Sequence, residues 1–202
     1  MAKGVLTTMI RSAYLLVPAL VLATAWQAIA ACPPDCPVGG KIKFRVGHAP
    51  HLTINTDKAA AAALPPSGSA NDPVLHGATL RVFTDVGDQF DVTYQLPHDN
   101  WHYVRDVNAN AGYRYLDLGQ TQGPISLVLL RPVLGTKVKG GGQLGLSLAT
   151  NPNPVHVVLT FGGSTVECGS YGGLVKFRQN VSYRATRAPA PATCSPSGAF
   201  LE

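Results

Sequence analysis

Glutamate is nearly missing from this chain of 202 residues, where 11 acidic side chains stand against 16 Lys and Arg. Only Glu167 and Glu202 are glutamates, and the aspartates gather at turn-like stretches. Glycoside hydrolysis needs two carboxyl groups facing each other across a cleft, and so thin a supply gives no such pair. Other signatures are missing too. No Gly-x-Ser-x-Gly elbow, no Cys-x-x-Cys and no His-Glu-x-x-His occurs, which removes the patterned forms of serine-hydrolase, thiol-metal and zincin chemistry. No histidine follows Cys168, so the string Cys168-Gly169-Ser170 lacks the downstream imidazole that a papain-like nucleophile needs. Helix formers in long amphipathic runs are also missing, and this excludes a helical bundle or coiled coil.

What is present begins with an address. Lys3 and Arg11 precede an apolar run, Ala13 to Trp26, and Ala28-Ile29-Ala30 supplies a small-residue cleavage pattern. This predicts an export signal over residues 1–30. The run is shorter than the about 20 apolar residues of a membrane span and holds Pro18, which favours removal over anchoring. Ile29-Ala30-Ala31-Cys32 also resembles the lipobox of bacterial lipoproteins, in which Cys32 would carry the lipid and tie the protein to a membrane. Acylation would leave three cysteines in an oxidising compartment, an odd number. Both processing routes place the protein outside the cytoplasm, secreted, periplasmic or lipid-anchored. Loss of Lys3 and Arg11 lowers the net charge from +5 by two. The remaining Lys and Arg are scattered along the chain, a pattern read here as a solubility feature and not as a nucleic-acid site.

Twenty-one glycines and sixteen prolines punctuate short apolar stretches. Such punctuation with two-residue alternation predicts strands and turns. Gln89 to Leu96 alternates Phe90, Val92, Tyr94 and Leu96 with polar residues; Ala78 to Thr84 and Val155 to Phe161 alternate likewise, and Asp85-Val86-Gly87-Asp88 reads as a hairpin turn. Further strands are expected at 41–46, 51–56, 101–104, 112–117, 125–130, 165–168, 174–177 and 182–186, with a short one at 146–150. Ile125 to Leu130 is expected to be buried on both faces. Asp57 to Leu64 is the one helix-forming run, halted by Pro65-Pro66. The expected fold is all-β: an antiparallel sandwich, Greek-key or jelly-roll-like, of about ten short strands. It forms one domain over 41–194, after a Cys/Pro-rich lead-in at 31–40 and before a tail at 195–202.

Four cysteines allow three pairings. The nearest-neighbour scheme, Cys32–Cys36 with Cys168–Cys194, is the expected one, the second bond fastening the C-terminal segment to the sheet. Cys168, Tyr171-Gly172-Gly173-Leu174-Val175-Lys176, Tyr183-Arg184-Ala185 and Ala188-Pro189-Ala190-Pro191-Ala192-Thr193-Cys194 together resemble the C-terminal signature of an uncharacterised β-rich unit that recurs in secreted bacterial proteins. The resemblance extends back through Asp72 to Phe83 and Leu96 to Trp101, almost to Lys41. It implies a placement and no catalytic residues; Cys32 and Cys36 lie outside it.

Candidate sites are few. Asp85, Asp88 and Asp91 offer hard oxygens around a turn and form a weak Ca²⁺ candidate, without an EF-hand spacing or a closing glutamate; aspartates bonding the local backbone are the plainer reading. Trp101, Tyr113 and Tyr115 offer rings for stacking on a sugar, or else core. His98 and His102, four apart, would stand too far apart on a strand to share an ion, so no metal is expected. Gly140, Gly142 and Gly145 match a dinucleotide-loop spacing with no helix after it, and no cofactor is expected. The function expected from these readings is an exported, non-catalytic structural or binding module of the cell envelope or beyond it. A glycan or protein is its expected partner, nucleic acid is not, and a membrane enters only through a lipidated Cys32. The alternatives are a secreted hydrolase with a loop-borne site and a carbohydrate-binding module.

Overall fold

The computed structural model describes residues 40–57, 64–106, 111–132, 134–162 and 165–188. Twelve strands make two antiparallel sheets, so the expected all-β sandwich is the observed fold. The larger sheet runs β11 (Leu174–Arg178), β12 (Ser182–Thr186), β1 (Gly40–Arg45), β2 (His51–Thr56), β8 (Gly135–Gly141), β7 (Ile125–Arg131), β6 (Tyr113–Leu116), β5 (Trp101–Tyr103). The smaller runs β10 (Thr165–Tyr171), β9 (Val155–Phe161), β3 (Ala78–Phe83), β4 (Asp91–Leu96). Hairpins and one meander, β5 to β8, supply most neighbours; β1 joins β12, bringing the two ends of the described chain side by side.

Period-two alternation builds the core. In β1, Ile42 and Phe44 turn inward and Lys41, Lys43 and Arg45 outward, the burial strictly alternating. Leu52, Ile54, Val138, Val128, Tyr113 and Tyr183 continue the inner face of the large sheet, and Leu80, Val82, Val157, Leu159 and Phe161 meet them from the small one. Each buried side chain of this size contributes about 1.5–3 kcal/mol. Three buried tyrosine hydroxyls are satisfied: Tyr113 Oη donates to the Pro65 carbonyl at 2.7 Å, Tyr94 Oη to that of Leu144 at 2.6 Å and Tyr183 Oη to that of Tyr171 at 2.8 Å. Unpaired, each would cost about 1–3 kcal/mol.

Several expectations need correction. Ile125 to Leu130 is buried on one face only, since Ser126, Leu127 and Leu129 are half-buried on the other. Residues 146–150 form no strand; Leu144, Leu146 and Leu148 do alternate into the core, but the backbone has no neighbouring ladder, and its amides turn to Asp88 instead. β8 was not anticipated, because Gly135, Gly140 and Gly141 hide its Thr-Lys-Val-Lys alternation among turn-like residues. Nor was the single helical turn α1 (Pro73–His76), which has Pro at its start and Asp72 as its cap, accepting from Val74 N at 2.8 Å. Most of the Asp57–Leu64 run, the lead-in before Gly40 and the tail lie outside the described residues.

Candidate functional site

The aromatic trio is not a binding surface. Trp101, Tyr113 and Tyr115 are exposed by only 2%, 2% and 1% and face the core, with Trp101 and Tyr115 rings 5.5 Å apart. Alternation put the two tyrosines on one face, and that face is the inner one. Trp101 Nε1 donates to the Leu96 carbonyl at 3.1 Å, which consumes its polar handle.

The three aspartates do not converge on a cation either. Asp91 makes a two-pronged pair with Arg81 across the β3–β4 hairpin, at 2.7 and 2.6 Å. Asp88 accepts from Ser147 Oγ, Ala149 N, and Thr150 N and Oγ1, so it buckles the hairpin turn onto the 144–150 segment. Those donors, led by the hydroxyls of Ser147 and Thr150, hold its carboxyl below the usual range. Asp85 is left 3.8 Å from His156. No group of three His, Cys, Asp or Glu that would hold a metal occurs among the described residues.

The histidines divide as well. His98 sits in a 3-10 turn with its Nδ1 3.1 Å from Asp99, while His102 faces outward on β5 opposite Arg114. His76 and His98 line a shallow cleft of about 200 Å³ with Gly77, Thr79, Gln95 and Thr160. Among the described residues that line it there is no carboxylate. Cys168 is 1% exposed on β10, opposite Val158; Cys32, Cys36 and Cys194 lie outside the described residues.

Between the sheets, Glu167 is wholly buried against a cavity of about 20 Å³ lined by Thr136, Val138, Leu80 and Tyr171. Thr136 Oγ1 donates to its Oε2 at 2.8 Å. Burial outweighs that bond and pushes the carboxyl up to about 7. The carboxyl stands between the sheets, where its protonation bears on stability.

The arrangement that stands out was not anticipated from the sequence. The eight strands of the large sheet carry ten Lys and Arg and no Asp or Glu. All ten cations are exposed, and none belongs to an ion pair among the described residues. The basic residues that look scattered along the chain are therefore gathered in space. Register aligns them: Lys176, Arg184, Lys43, Thr53 and Lys139 stand directly opposite one another on five adjacent strands. On either side run Thr186–Lys41–Asn55–Lys137 and Arg178–Ser182–Arg45–His51. The imidazole of His51 reports the local field, for burial and then the Lys43 and Arg45 charges push its pKa down. A signal existed, in Lys41-x-Lys43-x-Arg45, Lys137-x-Lys139 and Lys176-x-Arg178, each putting its cations on one face of a strand.

The chain matches no protein-family model, no curated protein and no solved structure.

Proposed function

We propose that the chain is an exported, non-catalytic β-sandwich that serves as a binding or structural module at the cell envelope or outside it. The N-terminal pattern of Lys3, Arg11, the apolar run and Ala28-Ile29-Ala30 supports export. One observation carries the non-catalytic half. Cys168, the residue best suited by type to be a nucleophile, is inaccessible on β10, and in this reading it is disulfide-bonded. A sulfur so held fastens and does not attack. Its partner in this reading is Cys194, and the resemblance to the secreted β-rich unit, whose closing cysteine stands there, agrees with that pairing.

Fractionation of cells expressing the full chain, with mass spectrometry of the mature N-terminus, tests the reading. The expected result is a protein outside the cytoplasm beginning at Ala31, or at a lipid-modified Cys32, whose unreduced digest contains a Cys168–Cys194 peptide pair. A precursor retained intact in the cytoplasm overturns it. So does turnover of an ester, peptide or glycoside substrate that a single substitution abolishes.

A further inference from the structure

We infer that the outer face of the large sheet is a binding surface for an acidic polysaccharide, which lies across the strands along the row Lys176–Arg184–Lys43–Thr53–Lys139. This rests on the proposed function in that it names the ligand of that module. Three observations lead to it.

The first is that the arrangement works against the fold's own stability. Like charges directly opposite on neighbouring strands destabilise a sheet, yet Lys176, Arg184 and Lys43 stand in register on β11, β12 and β1 with no acid interleaved. A sheet shaped for stability alone would alternate signs there. Lysine on an edge strand guards against aggregation, but β12, β1, β2 and β8 are interior strands. That explanation covers Lys176 alone.

The second is spacing. Neighbouring strands stand about 4.8 Å apart, and outward residues repeat about every 7 Å along a strand. The central row therefore presents three cations on successive strands and a fourth, Lys139, one strand beyond Thr53, with a parallel row on each side. A linear chain with an anionic group on each unit meets that lattice repeatedly. Hydroxyl and amide groups of Thr53, Asn55, Ser182 and Thr186 lie between the cations and suit ring hydroxyls.

The third is what the face does not offer to other polyanions. The aromatic rings of the large sheet point inward or pack against the core, so no platform for bases stands on this face. Among the described residues no helix or ribbon rises from it to enter a duplex groove. Eight strands that each turn by about 20–25° relative to the last curve the face, which fits a flexible strand of polymer better than a flat anionic bilayer.

The experiment measures binding of the full chain to polygalacturonate, with neutral dextran, single-stranded and duplex DNA, and anionic phospholipid vesicles as comparisons. In about 0.15 M salt, polygalacturonate binds in preference to all of these, and its affinity falls as salt rises. The triple variant Lys43→Ser, Arg184→Ser, Lys176→Ser binds about tenfold or more weakly, with a shallower salt dependence. Arg105→Ser, with one charge removed away from the row, binds within about twofold of the parent. The triple variant melts no lower than the parent, which a merely structural role for these cations would not allow. Thr53→Glu, which puts an acid into the row, loses binding in the same way and serves if the triple variant does not fold. Preference for DNA or vesicles, equal binding by the variants, or no polygalacturonate binding by the parent overturns the inference. The last result, for a protein found outside the cytoplasm, leaves the export reading standing; a protein retained inside sinks that reading whatever the polymer does.

Discussion

The outer faces of the two sheets are built from the same alternation and end in opposite conditions. On the large sheet the outward positions of β1, β8, β11 and β12 carry exposed cations. On the small sheet Asp91, Thr93 and Gln95 of β4 are exposed, but Phe83, His156, Val158 and Cys168 are buried although they point away from the opposing sheet. Phe83 and His156 rings lie 5.1 Å apart, and the Arg81 guanidinium covers Phe83 at 4.4 Å. Within the strands the acids divide likewise: none lies on the large sheet, while Asp91 and Glu167 lie on the small one. One face is thus kept for solvent and whatever solvent brings, while the other is closed around Phe83, His156, Val158 and Cys168. The lesson is that composition averages over faces. A net charge of +5 describes neither side.

The sharpest way to break this contrast is at the closed face. Cys168→Ser removes the staple proposed above, and thermal or urea unfolding is expected to lose about 2–5 kcal/mol, the same loss expected on reduction of the parent. A loss no larger than that of an exposed serine substitution would return the two faces to equivalence.

Between the faces stands Glu167, and its effect depends on pH. Its carboxyl is raised from 4.5 to about 7, so the folded state prefers the proton. The stabilisation is fully present below pH about 4.5 and declines as pH climbs toward 7, by up to the order of 3 kcal/mol. Glu167→Gln keeps a partner for Thr136 and has no charge to bury. Its melting curve is expected to be nearly flat over this window, matching the parent in acid and exceeding it above pH 7. Parallel curves for both proteins would place the proton elsewhere.

The smallest effect belongs to the open face. Thr53→Glu sets a carboxylate between Lys43 and Lys139, and each new cross-strand pair should add about 0.2–1 kcal/mol. The gain is expected at low ionic strength and should fade in high salt. A substitution that stabilises the fold while erasing polymer binding would separate the two roles of this surface.

How much of this was legible beforehand varies by kind of information. Strands with clean alternation, such as Gln89 to Leu96 and Val155 to Phe161, could be read to within a residue or two, because side-chain period is a local property. β8 was obscured by its glycines, and the leucines of 144–148 mimicked a strand, because alternation shows burial and not whether a partner ladder exists. Tyr113 and Tyr115 could be assigned to one face but not to the inside. The cationic row illustrates the limit best. Lys41, Lys43 and Arg45 share a face by local rule, but their alignment with Arg184, Lys176 and Lys139 depends on which strands are neighbours. Neighbours are decided by the whole sandwich.

The pairing of β1 with β12 sets Lys41 against Thr186, so nearly the whole length of the described chain is made before the first strand meets its second neighbour. A polypeptide emerging from the ribosome lacks its closing hairpin until β11 and β12 have been made, and long-range pairing of this kind forms slowly. Under the export proposed above, such lateness is an asset: the chain stays pliable during transit, and the sandwich shuts once the last hairpin has followed the first across.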